Sequence, residues 1–422
     1  MITRKGKRKK EQMSKITREF IERIPKTDLH LHLDGSLRLS TLIELAKQEK
    51  IELPSYTEEG LKELVFKEKY KDLPDYLQGF GLTCSVLKNA ENLERVAYEL
   101  AMDNIAENVI YIEARFAPQQ HFVNGKFSVQ DSVRAVNKGL KRAQDERNNS
   151  EEVKSGKELP FHYGIINCAM RFCNRFFSDY YANLFDSLES TPARRVVGIA
   201  SQELARITVK LAHDEGLPVV GFDLAGAEAG WPAIDHKKAY DIAHYNFIKK
   251  TVHAGEAFGA ESIFQAITEC HADRIGHGTH LFNVDKITDE RILNGEHGDP
   301  ESYIKRLVDY IACRRITLEV CPTSNLQTLP EIKSISEHPL KKMLENKLSV
   351  SICTDNRLVS RTTPTDELQR VVDNIDVDLK TFKNIITAGF KGSFYPGTYL
   401  EKRALVRQVM NRYEAIEKEF FG

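Results

Sequence analysis

His30 and His32 stand two residues apart in the short apolar run Thr27–Leu33 (TDLHLHL). On a strand, residues two apart share a face, so both imidazoles can offer a nitrogen to one metal ion. Two hydrogen-bonded histidines on a polar face are the plainer alternative. What shifts the balance is that groups of matching chemistry recur at the ends of other apolar runs. His253 and Glu256 lie in Thr251–Glu256 (TVHAGE), His277 sits between two glycines in Arg274–Gly278 (RIGHG), and Asp355 directly follows Ser351–Thr354 (SICT). Neutral imidazoles and a carboxylate are the ligands that divalent zinc takes in catalytic sites. Glu256 suits another task. A buried glutamate near an aromatic base has its proton affinity raised by desolvation and can give and retrieve a proton near neutrality, whereas a loop acid in solvent does neither. The glycines around His277 let backbone and ligand approach closely. Asp355 emerges from a buried run and needs a partner, either a metal or the guanidinium of Arg357.

These side chains can meet only if the intervening chain brings the ends of the runs together. Short β-branched or apolar stretches that stop at polar or glycine residues predict eight strands: Thr27–Leu33, Val109–Ala117, Tyr163–Met170, Val219–Ala225, Thr251–Ala254, Arg274–Gly276, Thr317–Cys321 and Ser349–Thr354. Helical periodicity fills most of the gaps, as at 195–214, 260–272, 302–314 and 340–346. Repeated βα units build either a doubly wound open sheet or a closed (β/α)8 TIM barrel, and a count of eight favours the α/β barrel. Catalytic groups of such a barrel sit at the C-terminal strand ends, which is where this chain carries them. His30 and His32 end the first strand, His253 and Glu256 the fifth, His277 the sixth and Asp355 the eighth.

The longest excursion, 38–108, follows the first strand with several amphipathic helical segments and is expected to roof the site. Residues 145–158 and 293–301 read as surface loops. Thr363 is expected to cap a helix that begins at Pro364, and a charged helix closes the chain. The domain organisation expected is a single metal-dependent barrel over residues 21–422 behind a basic, frayed tail at 1–20.

Composition narrows the function classes. Sixty basic against sixty-one acidic residues leave a net charge of -1, so no global field recruits nucleic acid or an anionic membrane. The exception is the basic run at residues 4–10, read as a solvated tail. No apolar stretch is long enough to span a bilayer or placed to act as a secretory signal, so a cytoplasmic protein is expected. Seven cysteines without C-x-x-C spacing suggest reduced, mostly buried thiols.

The chain resembles the adenosine deaminase family over most of its length, from about Pro25 to Phe394. The stretches that carry the likeness are 25–35 (PKTDLHLHLDG), 111–118 (YIEARFAP), 223–226 (DLAG), 252–256 (VHAGE), 274–278 (RIGHG), 321–325 (CPTSN) and 351–355 (SICTD). The resemblance implies one zinc ion held by His30, His32, His253 and Asp355, with a position left for water. It also implies that Glu256 contacts purine N1, His277 helps activate the water, Gly226 meets N3 through its backbone, and Asp34 meets the ribose. The implied reaction is hydrolytic deamination of adenosine, and of 2′-deoxyadenosine, to inosine and ammonia in purine salvage. Many relatives have a second aspartate after the metal ligand, where this chain has Asn356. N7 is an acceptor only, and an asparagine amide donates at any pH, so base recognition is expected to survive.

On the same fold, the rival substrates are adenine and an N6-substituted AMP. Aspartate at position 34 suits a free ribose hydroxyl, while Arg357 and Arg361 near the rim keep a nucleotide in play. A binding barrel without chemistry would be expected to show a broken ligand set, and here the set is complete.

Overall fold

The computed structural model describes residues 16–422, and the basic run at residues 4–10 lies outside them. Eight strands form the barrel: β1 (Lys26–His32), β2 (Val109–Phe116), β3 (His162–Met170), β4 (Val219–Ala225), β5 (Lys249–Ala254), β6 (Arg274–His277), β7 (Thr317–Val320) and β8 (Ser349–Ile352). They lie in sequence order, and each pairs in parallel with the next. Parallel neighbours need a crossover, which is why a helix stands between strands throughout. The ring is drawn together beyond β8, where the Asp355 amide donates to the His30 carbonyl (2.8 Å) and the His32 amide to the Asp355 carbonyl (2.7 Å). This is the (β/α)8 barrel that the sequence predicts, with extra helices after β1 and at the C-terminus.

Strand register sets the height of each inward side chain. His253 pairs with Gly276, Gly276 with Glu319, and Glu319 with Ser351, so these four share a tier. Gly276 is required by space: a Cβ there would lie 3.0 Å from Cε1 of the His30 ring. The outer face of the strands is covered by the apolar sides of the helices, and Leu29, Ile112, Val252, Ile275, Leu318 and Val350 are buried.

Strand ends fall within two residues of the predicted ones, and the helix at Pro364 is capped by the Thr363 hydroxyl, which accepts from the Asp366 amide (3.2 Å). Three expectations need revision. Residues 145–158 are not a loop throughout: the helix Val129–Asn148 runs on, and Ser150 caps a further turn, Glu151–Lys154. Charged residues there form the exposed side of an amphipathic helix, which does not end it. The stretch 293–301 includes the start of the next helix, since Asp299 accepts from the Ser302 amide (3.0 Å) and Pro300 occupies the first turn of Pro300–Arg314. Of the excursion after β1, only the part around the helices Leu73–Leu77 and Gly79–Ser85 borders the barrel mouth. The long helix Ala90–Ala106 is instead the crossover, packed on β2 and on Val129–Asn148.

Among the described residues no helix is long and apolar enough to cross a membrane. All seven cysteines are free, and all but Cys313 are buried.

Candidate active site

At the C-terminal mouth of the barrel the structure brings His30, His32, His253, His277 and Asp355 into one buried cluster. The Nε2 atoms of His32 and His253 are 3.2 Å apart, and Asp355 Oδ1 is 3.5 Å from Nε2 of both His30 and His32. Ligands at about 2.0 Å from a tetrahedral zinc lie roughly 3.3 Å from one another, so these separations suit a shared ion.

Second partners decide which ring nitrogen carries a lone pair. His30 Nδ1 is 2.7 Å from the Glu319 carboxylate, and His253 Nδ1 is 3.2 Å from that of Asp223. Each Nδ1–H therefore donates to a carboxylate and leaves Nε2 bare, the arrangement that orients imidazole towards a metal. His30 Nε2 is buried without any hydrogen-bond partner. His253 Nε2 is bare and faces His32 Nε2, and His30 Nε2 is orphaned beside a carboxylate, an arrangement that a shared cation would satisfy in full. The donor set fits a divalent metal.

The carboxylates are held ionised from below. Against the cost of burial, His253 and Arg115 hold the Asp223 carboxyl well below the usual range, and Arg115 and Arg274 do the same for Glu319. Burial likewise opposes ionisation of Asp355, and positive charge at the imidazoles beside it outweighs that cost; a bound cation would supply this charge with His30 Nε2 left unprotonated. The other Asp355 oxygen accepts from Ser324 Oγ at 2.6 Å. Arg357, the alternative partner, turns away to Glu107 (2.6 Å), and Arg361 lies 3.6 Å from Glu68, so neither arginine borders the cavity.

Glu256 rides on a loop built by another acid. The Glu228 carboxylate accepts from the amides of Gly255 (3.1 Å), Glu256 (3.0 Å), Ala257 (2.7 Å) and Phe258 (3.1 Å) and from Ser262 Oγ (2.5 Å). Burial, then the charges of Asp355 and Glu228, push the Glu256 carboxyl up to about 8. Its Oε1 is 3.9 Å from His277 Nε2.

The tautomer of His277 follows from a relay behind it. The Leu340 amide donates to His338 Nδ1 (3.0 Å), so His338 Nε2–H donates to Asn325 Oδ1 (3.2 Å), and the Asn325 amide in turn donates to His277 Nδ1 (3.1 Å). With burial lowering its proton affinity far below the ordinary value, His277 is neutral and presents Nε2–H to the site.

A cavity of about 820 Å³ opens over this cluster and is bordered by Asp34, Gly226, Glu256 and Asn356 together with apolar residues of the roof. Burial pushes the Asp34 carboxyl up to about 7, and its Oδ1 has no hydrogen-bond partner. Gly226 has φ +98°, a conformation that side chains rarely adopt, and its carbonyl neighbour Ala225 accepts from Arg171 (2.9 Å). The Asn356 amide contacts the Tyr76 hydroxyl at 2.7 Å, and Tyr76 in turn meets Ser360 Oγ at 2.7 Å.

The adenosine deaminase family profile matches residues 25–172 and 193–412. The chain belongs to the adenosine deaminase family. An adenosine deaminase of Mycolicibacterium vanbaalenii is 34% identical over 95% of this chain and 98% of its own length. A probable adenosine deaminase of Dictyostelium discoideum is 33% identical over 91% of this chain, which spans only 42% of that longer protein. Among solved structures, a zinc-bound amidohydrolase from B. ambifaria superposes with a TM-score of 0.72 at 19% identity, covering 96% of this chain and 94% of its own.

Within this member of the family, several supporting residues carry no obvious mark in the sequence. Tyr76, Glu228 and His338 sit in stretches without catalytic spacing, and only the fold brings them to the site. Glu319 was legible in principle: a carboxylate between Leu318 and Val320 on a buried strand needs a cationic partner. Asp223, Arg115 and Asn325 lie inside the family stretches, and the structure now gives them partners.

Proposed function

We propose that this chain hydrolyses adenosine to inosine and ammonia, using a zinc ion held by His30, His32, His253 and Asp355. The observation that carries the reading is the convergence of bare imidazole nitrogens and an ionised carboxylate beside a glutamate that keeps its proton near neutrality. When bound, the metal supplies Lewis acidity, lowering the pKa of water towards about 7 so that a nucleophile for C6 exists at neutral pH.

The chain's own groups do the rest. Glu256 gives its proton to purine N1, which neutralises the charge arriving on the ring as it forms. His277, donating through Nε2–H, orients the attacking oxygen and steadies its charge; in this tautomer it is a donor rather than a base. Asp355 aims at the same oxygen while Ser324 fixes the carboxylate. Gly226 meets N3 through its backbone, and Asp34 accepts from a ribose hydroxyl. Asn356 borders the cavity and is the group that meets N7, its side-chain amide held by the Tyr76 hydroxyl.

Arg357 and Arg361 lie outside the cavity lining, and the two cations that border it, Lys88 and Arg175, are engaged by the Gln120 carbonyl and Asp186, which favours a nucleoside over a nucleotide. An ammonia-release screen over adenosine, 2′-deoxyadenosine, adenine, AMP and N6-methyl-AMP tests this. Adenosine and its deoxy analogue should give the highest kcat/KM; faster turnover of adenine or of either nucleotide would overturn the assignment.

A further inference from the structure

One buried group of ligating side chains lies outside the cluster described above. Asp34 follows β1, Cys84 belongs to the roof helix Gly79–Ser85, and His121 lies in the turn after β2; each offers one donor atom, and the three lie within 4.8 Å of one another. All three are buried: Asp34 is 3% exposed, Cys84 5% and His121 0%. A buried histidine, thiol and carboxylate without a ligand would normally satisfy one another. Here Asp34 Oδ1 and His121 Nε2 both lack any hydrogen-bond partner.

The state of His121 is telling. Its Nδ1 is 3.0 Å from the Leu87 carbonyl, so Nδ1 carries the hydrogen and donates, and Nε2 is left with a free lone pair. A ring that gives one N–H to a backbone carbonyl and keeps the other nitrogen bare is oriented as metal-bound histidines are. Burial, then the nearby charge of Lys88, lowers its proton affinity to about 3, so no proton competes for that lone pair at neutral pH. Imidazole, thiolate and carboxylate together suit a borderline-soft ion such as zinc or cadmium, not magnesium or calcium.

We propose that Asp34, Cys84 and His121 form a second site, which takes one thiophilic divalent cation. Burial, then the charge of Asp34, push the Cys84 thiol up, so the free site holds a protonated sulfur; on binding, the ion displaces that proton to solvent and the sulfur ligates it, while Asp34 and His121 supply an oxygen and a nitrogen. Thiolate and carboxylate together cancel the two positive charges, which lowers the cost of burying the ion. Asp34 is also the residue assigned above to the ribose, so ion and nucleoside exclude each other, and excess metal inhibits the enzyme. That last step rests on the proposed ribose contact; the site itself does not.

The test starts from the enzyme already loaded with one zinc and adds cadmium, following both metals by equilibrium dialysis and elemental analysis. One further equivalent should bind while zinc is retained, with the ultraviolet charge-transfer absorption of a cadmium–thiolate bond. The four ligands of the first site include no sulfur, but Cys321 lies beside Asp355 and His277, so the Cys84→Ser variant assigns the absorption. Cys84→Ser should remove the absorption, and both Cys84→Ser and His121→Phe should weaken the second equivalent by at least ~10-fold. Failure of a second equivalent to bind overturns the proposal. So does an absorption that persists in Cys84→Ser, which would place the ion on another thiol such as Cys321. Saturating inosine should weaken cadmium binding by at least ~10-fold. If cadmium binding depends on Cys84 but ignores inosine, the ribose role of Asp34 falls and the metal site stands.

Discussion

Below the four proposed metal donors, Arg115, Arg274, Asp223, Glu319 and Glu113 form a buried ionic belt; above them, Leu73, Leu77, Phe80, Phe172 and Phe177 turn carbon towards the cavity. In the belt, Arg115 reaches Asp223 and Glu319 at 2.8 Å each, and Arg274 reaches Glu319 at 2.6 Å while also pairing with Glu113. In the roof, a few tyrosine bonds tie the chain down: Tyr70 donates to the Val359 carbonyl (3.0 Å), and Tyr76 meets Ser360 and Asn356. An ionic network with directional partners has one good arrangement, and breaking one buried pair costs about 3–5 kcal/mol. Dispersion contacts are individually small and tolerate shifts of the groups that make them. The contrast assigns precision of the chemistry to the lower layer and admission of the substrate to the upper one. Changes below should therefore act on turnover and metal affinity, and changes above on substrate selection.

The largest effect expected is loss of turnover on removing the metal. Dialysis against a strong chelator should abolish ammonia release, and zinc should restore it; full turnover by metal-free protein would show that the lower layer is structural only. Next comes Glu256→Gln. The amide keeps the shape and cannot shuttle a proton, so kcat should fall by ~100- to 10,000-fold while the zinc content stays at wild-type level. The same carboxyl makes a pH prediction. Its proton affinity is raised to about 8, so the donor form is present below that value and is lost as pH rises through it. Measured as kcat/KM, activity should decline above about pH 8, and residual activity in Glu256→Gln should not.

Glu319→Gln probes the belt without touching substrate. The carboxylate accepts from Arg115, Arg274, Thr251 and His30 at once. An amide has one accepting end, so at least one buried guanidinium loses its partner and the His30 ring loses its orienting acceptor. Metal affinity should weaken by ~10- to 100-fold, and urea unfolding should show a loss of about 3–5 kcal/mol. Unchanged metal affinity would mean that the ring is aimed by packing alone.

The same division marks what the sequence discloses. Groups proposed to bond the metal or the purine sit at strand ends and are of a few types, so His30, His32, His253, Glu256, His277 and Asp355 stand out against apolar runs. The strands are legible for the same reason, because a buried parallel strand is a near-continuous apolar run. Partners at one remove lack that contrast. Glu228 builds the Glu256 loop from 28 residues upstream, and His338 sets the tautomer of His277 through Asn325, yet neither lies in a spaced pattern. The roof is least legible. Its helices are short, amphipathic and alike in composition, so nothing in 38–108 distinguishes the crossover helix Ala90–Ala106 from the segments that cover the cavity.

Tyr76→Phe gives the smallest effect and the sharpest separation of the two layers. The substitution keeps the ring that packs against Tyr70 (centroids 5.0 Å apart) and removes only the hydroxyl that meets Asn356 and Ser360. One such hydrogen bond is worth about 1 kcal/mol, so kcat/KM for adenosine should fall by roughly 5-fold. If the hydroxyl acts by holding the Asn356 amide towards N7, the loss should vanish with 7-deazaadenosine, which has no acceptor at that position. An equal loss on both substrates would show that Tyr76 merely supports the roof. Selection through N7 would then belong to Asn356 alone.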